Sequence, residues 1–289
     1  VSRYAIIIIC LLLAIIAVDI AEHRPDAGLH DSFNIAIGRA DLPFQHRLLS
    51  PLAALGVAAH STAGYQTSAA MVCILALTIT FAIAYTEAGA IGLLLLFGML
   101  IPSLSLRYVY DSTHPLFIIG LTVAILRRNA WAWLALFAVG TFNRETTIYL
   151  FPALALIWWR YGKARTIAVV VASCVIWLAT KTVLSHWFGA PSLTADLAAL
   201  NYQYIVYGVW ASEPRSRMQL LYALGGLWIC IPLVWQSLDY DHRALLVTLP
   251  VAFAFLFVFG NAWEVRTFGD VAPVLAIAIG RSSVFKSHH

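Results

Sequence analysis

Long apolar runs separated by short polar turns dominate the chain. Uncharged or nearly uncharged stretches recur at 4–20, 67–86, 90–106, 115–126, 130–142, 147–159, 166–186, 217–236, 244–260 and 267–280. A hydrocarbon core about 30 Å thick takes about 20 helical residues to cross. The pattern therefore predicts an all-α integral membrane fold of about ten transmembrane helices. Two longer polar stretches, 21–66 and 187–216, interrupt the series, and the short turns include RR at 127–128, WWRYGKAR at 158–165 and SLDYDHR at 237–243. No repeat period and no low-complexity linker divides the sequence, so residues 1–289 read as one polytopic transmembrane domain. Residues 4–20 exceed a typical signal-peptide core and lack a following A-x-A site, which predicts a retained first span.

Composition agrees with that pattern and removes other classes. Apolar residues make up 61% of the chain and charged residues 11%, with a mean hydropathy of +0.82. A soluble fold of this size cannot hide so much apolar surface. The net charge of +4 is scattered, and no basic run interleaved with aromatics points to nucleic acid. Cys10, Cys73, Cys174 and Cys230 all lie in apolar runs without metal-ligand spacing, and read as buried free thiols. The first polar stretch holds His23, Asp26, His30 and Asp31, but no spacing there is diagnostic of a metal, and no cofactor is expected.

Charge distribution sets the expected orientation. With the N-terminus cytoplasmic, alternate crossings place Arg127, Arg128, Arg160, Lys163, Arg165, Arg243, Arg281 and Lys286 inside. Lys and Arg then divide nine inside and nine outside, so a tally alone decides nothing. The carboxylates break the tie: Glu87, Asp239 and Asp241 are inside, and the other eleven are outside, many close to a base. The inner charges read as topology signals and the outer ones as a site. This parity requires that residues 44–62 lie in the interface rather than cross it.

Four polar clusters fall at the outer ends of spans: His46-Arg47, Arg107 to Asp111, Asn143-Arg144-Glu145-Thr146, and Glu264 with Arg266 and Asp270. Ionisable groups at membrane depth cost several kcal/mol and mark functional candidates. The two runs flanking Asn143–Thr146 hold 13 residues each, about 20 Å of helix, well short of a full crossing. Either the bilayer thins there or this cluster lies below the outer surface. Arginines converging on one face suit a phosphate, because the guanidinium fork matches phosphate oxygens, and an adjoining apolar pocket suits a lipid tail. The structural alternatives are an Arg144–Glu145 pair stapling two helix ends, and an Arg107–Asp111 pair one helical turn apart.

The segments FQHRLLSP, YVYDSTHPLF, FNRETTIYLFP and NAWEVRTFGDVAPVLA, in this order, resemble a bacterial branch of the GT-C superfamily of polytopic membrane glycosyltransferases. That branch carries a YRxLxP-like motif, an Asp-bearing outer turn, an NRET-like turn and a closing E-x-R segment. The similarity runs from about residue 19 to 280; His46 stands where the branch has an aromatic, and no DE or DD pair opens the first loop. The resemblance implies interfacial helices in the first outer loop, and a polyprenyl-phosphate sugar donor among membrane lipids. It also implies a glycan or lipid acceptor, and an active site on the extracytoplasmic face of a bacterial inner membrane. Asp31, which shortly precedes an aromatic, would be the catalytic base, with Asp26 second. Arg144, Arg47, Arg266 and Arg107 would hold phosphate, and Asp111, Asn143, Glu145 and Glu264 would line the same substrate site. Two other classes compete: a lipid or solute transporter, and a non-catalytic scaffold subunit of an envelope complex.

Overall fold

The computed structural model describes residues 2–23, 30–37, 47, 49–62, 64–104, 109–188, 223–259 and 265–285. Every regular element among them is helical. Three helices are long and apolar enough to cross a membrane: α1 (Arg3–Glu22), α4 (Tyr65–Leu100) and α8 (Lys163–Phe188). Two short helices, α2 (His30–Ala36) and α3 (Leu49–Ala59), precede α4. Between α4 and α8 stand α5 (Val109–Leu126), α6 (Ala130–Asn143) and α7 (Phe151–Trp159). After residue 223 come α9 (Cys230–Val234), α10 (Tyr240–Leu246), α11 (Thr248–Phe259) and α12 (Ala272–Gly280).

The 36 residues of α4 form a folded hairpin rather than a rod. In a straight helix Phe81 and Phe97 would stand about 24 Å apart. Their ring centroids lie 6.0 Å apart instead. The reversal falls at Gly89, whose φ of 66° lies in the left-handed region that glycine enters without steric cost. The turn separates the two expected apolar runs, 67–86 and 90–106. A Cβ on Gly92 would lie 2.4 Å from the Ala88 Cβ, so the fold-back depends on small residues.

The two arms close on α12, which is apolar all round and buried along its whole length. The contact is between backbones: a Cβ on Gly280 would lie 2.9 Å from the Gly92 Cα and from the Ala88 Cβ. Close approach of this kind is how helices gain dispersion contact where lipid removes the hydrophobic drive between them. Behind it, α5, α6 and α8 pack around Trp133, which is fully buried, stacks on Phe137 at 5.6 Å and donates its indole N–H to Ser173 Oγ at 2.9 Å. A buried Trp needs such a partner for its one donor.

Three expectations change. The apolar run 217–236 is not one continuous α-helix over its described part: Leu224, Gly225 and Gly226, ahead of α9, have φ of 57°, 62° and 73°. A Cβ on Gly225 would lie 2.7 Å from the Gly98 carbonyl oxygen, so the chain passes too close to the α4 hairpin for any side chain there. The run 244–260 is divided between α10 and α11. Of the cysteines, Cys10 and Cys73 are buried, but Cys230 is half-buried and Cys174 is exposed on the outward face of α8 beside Val171, Val175 and Leu178.

The joint between α5 and α6 governs one end of the molecule. Arg128 N–H reaches the Ile125 carbonyl at 3.0 Å, and Asn129 N–H reaches the Ala124 carbonyl at 3.0 Å. These two bonds form a Schellman cap, in which the residue at Arg128 must turn left-handed, and its φ is 54°. Glycine is usual there; a larger residue costs about 1 kcal/mol. Asn129 then caps α6, its side chain accepting from Ala132 N–H at 3.1 Å.

Contacts link the turns at that end. Glu87 meets both Arg127 and Arg281. Arg128 lies over the Tyr161 ring, Arg160 over Tyr240, and Ser237 bonds Ser282. The opposite end gathers residues from α3, α5, the α6–α7 junction, α8 and the segment before α12. Along α5 alone, Asp111 and Arg127 are separated by about 24 Å.

Candidate active site

The site begins at the turn of a helical hairpin: the Phe137 and Phe151 rings lie 5.2 Å apart, so α7 runs back along α6. α6 stops at Asn143, Arg144 adopts extended backbone (φ −164°, ψ 138°), and Glu145–Leu150 continue as a 3-10 helix before α7. Gly140 permits the break, because a Cβ there would press on Phe117 and Thr147 at 3.1–3.2 Å. The polar residues at the turn are buried: Asn143 is 0% exposed and Arg144 3%.

Arg144 is the centre of an ion triad. Its Nη1 donates to Asp111 Oδ1 at 2.8 Å and to Asp270 Oδ1 at 3.0 Å. All three side chains are at most 3% exposed. Removing such charges from water costs several kcal/mol each, offset only by close pairing and hydrogen bonds. The triad ties α5, the α6–α7 junction and the 3-10 turn Val265–Val271 together.

Glu145 faces the other way. It pairs with Arg47 at 3.7 Å and with Lys181 of α8 at 3.5 Å, all three side chains being partly exposed. In place of the Arg144–Glu145 staple, the structural alternative to a binding site, stand two arrangements, one closed and one open. The physical reason is the extended backbone at Arg144, which sends successive side chains to opposite sides. Thr146 bonds His114 Nε2 at 3.0 Å, while Ser50 of α3 donates to Asn143 Oδ1 and meets Thr113. Arg47 and Glu145 also act electrostatically on His114 and Asp270, so the groups form one coupled cluster.

Of the residues singled out from the sequence, Arg47, Asp111, Asn143, Arg144 and Glu145 come together here. Asp111 meets Arg144 across 33 residues of sequence. Asp31 lies in α2, whose Phe33 packs on Tyr65 at 5.2 Å, which sets α2 beside the start of α4. The Asp31 side chain, Asp26, Arg107 and Glu264 fall outside the described residues, as does the Arg266 side chain. Sequence reasoning passed over Lys181, His114 and Ser50. Lys181 is a single cation near the end of a long apolar run, and the other two sit in motifs scanned for charge.

Compared with known proteins, the chain matches no family model, no curated protein and no solved structure. The resemblance to membrane glycosyltransferases therefore rests on its four ordered motifs.

Proposed function

We propose that this chain is a multi-pass membrane glycosyltransferase that moves a sugar from a polyprenyl-phosphate donor to a glycan or lipid acceptor. The reading places the reaction at the extracytoplasmic face of a bacterial inner membrane, in a GT-C-like fold of about ten crossings. One observation carries it: seven ionisable side chains, Arg47, Asp111, His114, Arg144, Glu145, Lys181 and Asp270, converge at one end of a chain whose long helices are apolar.

In the reaction, an acceptor hydroxyl attacks the anomeric carbon, the bond to the donor phosphate breaks, and polyprenyl phosphate leaves. A carboxylate takes the hydroxyl proton, Asp31 first and Asp26 second by the resemblance. The triad revises which cation meets the phosphate. Arg144 is committed to two carboxylates and serves as a positioning residue. Arg47 and Lys181 sit at looser distances on the more exposed Glu145, where phosphate oxygens can compete for them. Arg107 and Arg266, each four residues before a triad carboxylate, remain phosphate candidates, and Glu264 a sugar-binding one.

A transporter is the second reading, since ionisable groups buried among apolar helices also mark solute and ion pathways. Purified protein in nanodiscs, given a polyprenyl-phosphate-linked sugar, tests both. The Arg47→Gln/Lys181→Gln variant should lose about 10- to 100-fold in donor binding at nearly unchanged unfolding temperature. Asp31→Asn should keep donor binding and cut release of polyprenyl phosphate by at least about a hundredfold. Donor that crosses liposome membranes uncleaved supports the transporter. No binding of lipid phosphate by the wild-type chain sinks the transferase.

A further inference from the structure

The end of the molecule opposite the charge cluster carries a different arrangement of charge. Seven described cations, Arg127, Arg128, Arg160, Lys163, Arg165, Arg243 and Arg281, face three described carboxylates, Glu87, Asp239 and Asp241. Glu87 is taken by Arg127 and Arg281, and Asp239 by His242. The other five cations have no carboxylate within 4 Å among the described residues, and rest on aromatic rings. Arg128 lies 3.5 Å from the Tyr161 centroid, Arg160 4.3 Å from Tyr240, and Arg165 5.5 Å from Trp158. Lys163 and Arg243 lie farther out, over Trp159 and Trp235.

A guanidinium stacked on a ring uses its face and keeps its in-plane N–H donors for an anion. Four of the five rings, Tyr161, Tyr240, Trp159 and Trp235, are exposed, and Trp and Tyr settle at the headgroup level of a bilayer; Trp158 is buried beneath Arg165. Arg128 adds an independent observation. It occupies the left-handed position of the α5 cap where glycine fits without strain, its carbonyl accepts from Arg165 Nη2 at 2.9 Å, and its side chain covers Tyr161. An arginine that destabilises its own turn points to a use for its side chain.

We propose that this basic, aromatic face is a binding site for the phosphodiester headgroups of anionic phospholipids in the leaflet it meets, centred on Arg128, Arg160 and Arg165. The charge complements such a lipid, unpaired cations of one sign attract anionic headgroups near a membrane surface, and the adjoining exposed apolar faces of α6 and α8 suit its acyl chains. The proposal depends on membrane insertion and not on the transferase reading.

Native mass spectrometry of full-length protein released from nanodiscs of mixed phosphatidylglycerol and phosphatidylcholine tests it, alongside thermal unfolding. The wild type should retain phosphatidylglycerol at least about tenfold over its share of the bilayer, and unfold several degrees higher when that lipid is added. Arg128→Gly should weaken the preference while raising the unfolding temperature in detergent, because it relieves the strained turn. Arg128→Gly/Arg160→Gln/Arg165→Gln should abolish the preference. Equal retention of the two lipids by the wild type, or an undiminished preference in the triple variant, overturns the proposal. The same thermal shift with inorganic phosphate alone also overturns it, since the site would then take a free anion.

Discussion

Both ends of the molecule are rich in arginine, yet they spend it differently. At one end Arg144 is 3% exposed and locked to Asp111 and Asp270, and with the adjoining Arg47, Lys181 and Glu145 the cations and carboxylates of the cluster balance. At the other, Arg128, Arg160 and Arg165 lie on aromatic rings with no described carboxylate partner. A buried charge must be neutralised where it stands, because low dielectric makes a stranded ion intolerable. A charge at a membrane surface keeps water and headgroups within reach, and can stay unpaired. The difference separates a site that organises its own interior from a face that awaits something outside.

Removing one member from each end gives the largest contrast. Arg144→Met strands two buried carboxylates and should cost about 3–5 kcal/mol, enough to lose a monodisperse folded species. Arg165→Met should cost under about 1 kcal/mol. The triple change Asp111→Asn/Arg144→Met/Asp270→Asn should recover much of the loss, because no uncompensated charge remains. Unfolding temperatures in one detergent decide it, and equal losses for the two single variants would erase the distinction between the ends.

The apolar runs predicted most of the element positions because hydropathy is a local signal. The turn at Asn143–Thr146 was also legible, as a polar cluster between two short apolar runs. Among the described residues only three helices have full spanning length: α6 and α7 are short arms of a hairpin that turns at Arg144, and the run around Leu224 is interrupted by left-handed backbone that hydropathy does not register. The partners in the site were not legible. Arg144 meets Asp111 across 33 residues and Asp270 across 126, and no local pattern reports a contact at that separation. Lys181 reaches Glu145 from a helix whose sequence reads as an uncharged span.

Glu87 offers a sharper test within the basic end, where it bridges two arginines. Both partners are partly exposed, Arg127 at 66% and Arg281 at 39%, so Glu87→Gln should cost only about 1 kcal/mol. That cost should shrink in about 1 M salt, where screening acts within a few ångströms. The Arg144→Met penalty, arising away from water, should hardly respond to salt. A Glu87→Gln penalty as large and as salt-insensitive as that of Arg144→Met would mean that this bridge is effectively buried, and that the two ends obey the same electrostatics.

The smallest effect concerns Asp239, which starts α10 at the basic end. Its Oδ1 accepts from His242 N–H at 2.9 Å, and the His242 ring lies 2.7 Å away. Burial alone would raise this carboxyl, but the backbone and ring hydrogen bonds from His242 outweigh it and hold the group below its ordinary value of 3.8. For a carboxyl lowered in the folded state, the stabilisation is complete above the ordinary value and is lost as pH falls through the lowered one. Asp239→Ala should therefore cost about 1 kcal/mol, the usual worth of a helix N-cap, and the difference from wild type should stay constant from pH 8 to about pH 5. Asp239→Asn, an equally good cap, should restore most of that stability while removing the acid-side dependence. A difference that already collapses between pH 7 and pH 5 would show that the stabilisation does not follow the Asp239 carboxylate, and would overturn this account of the cap.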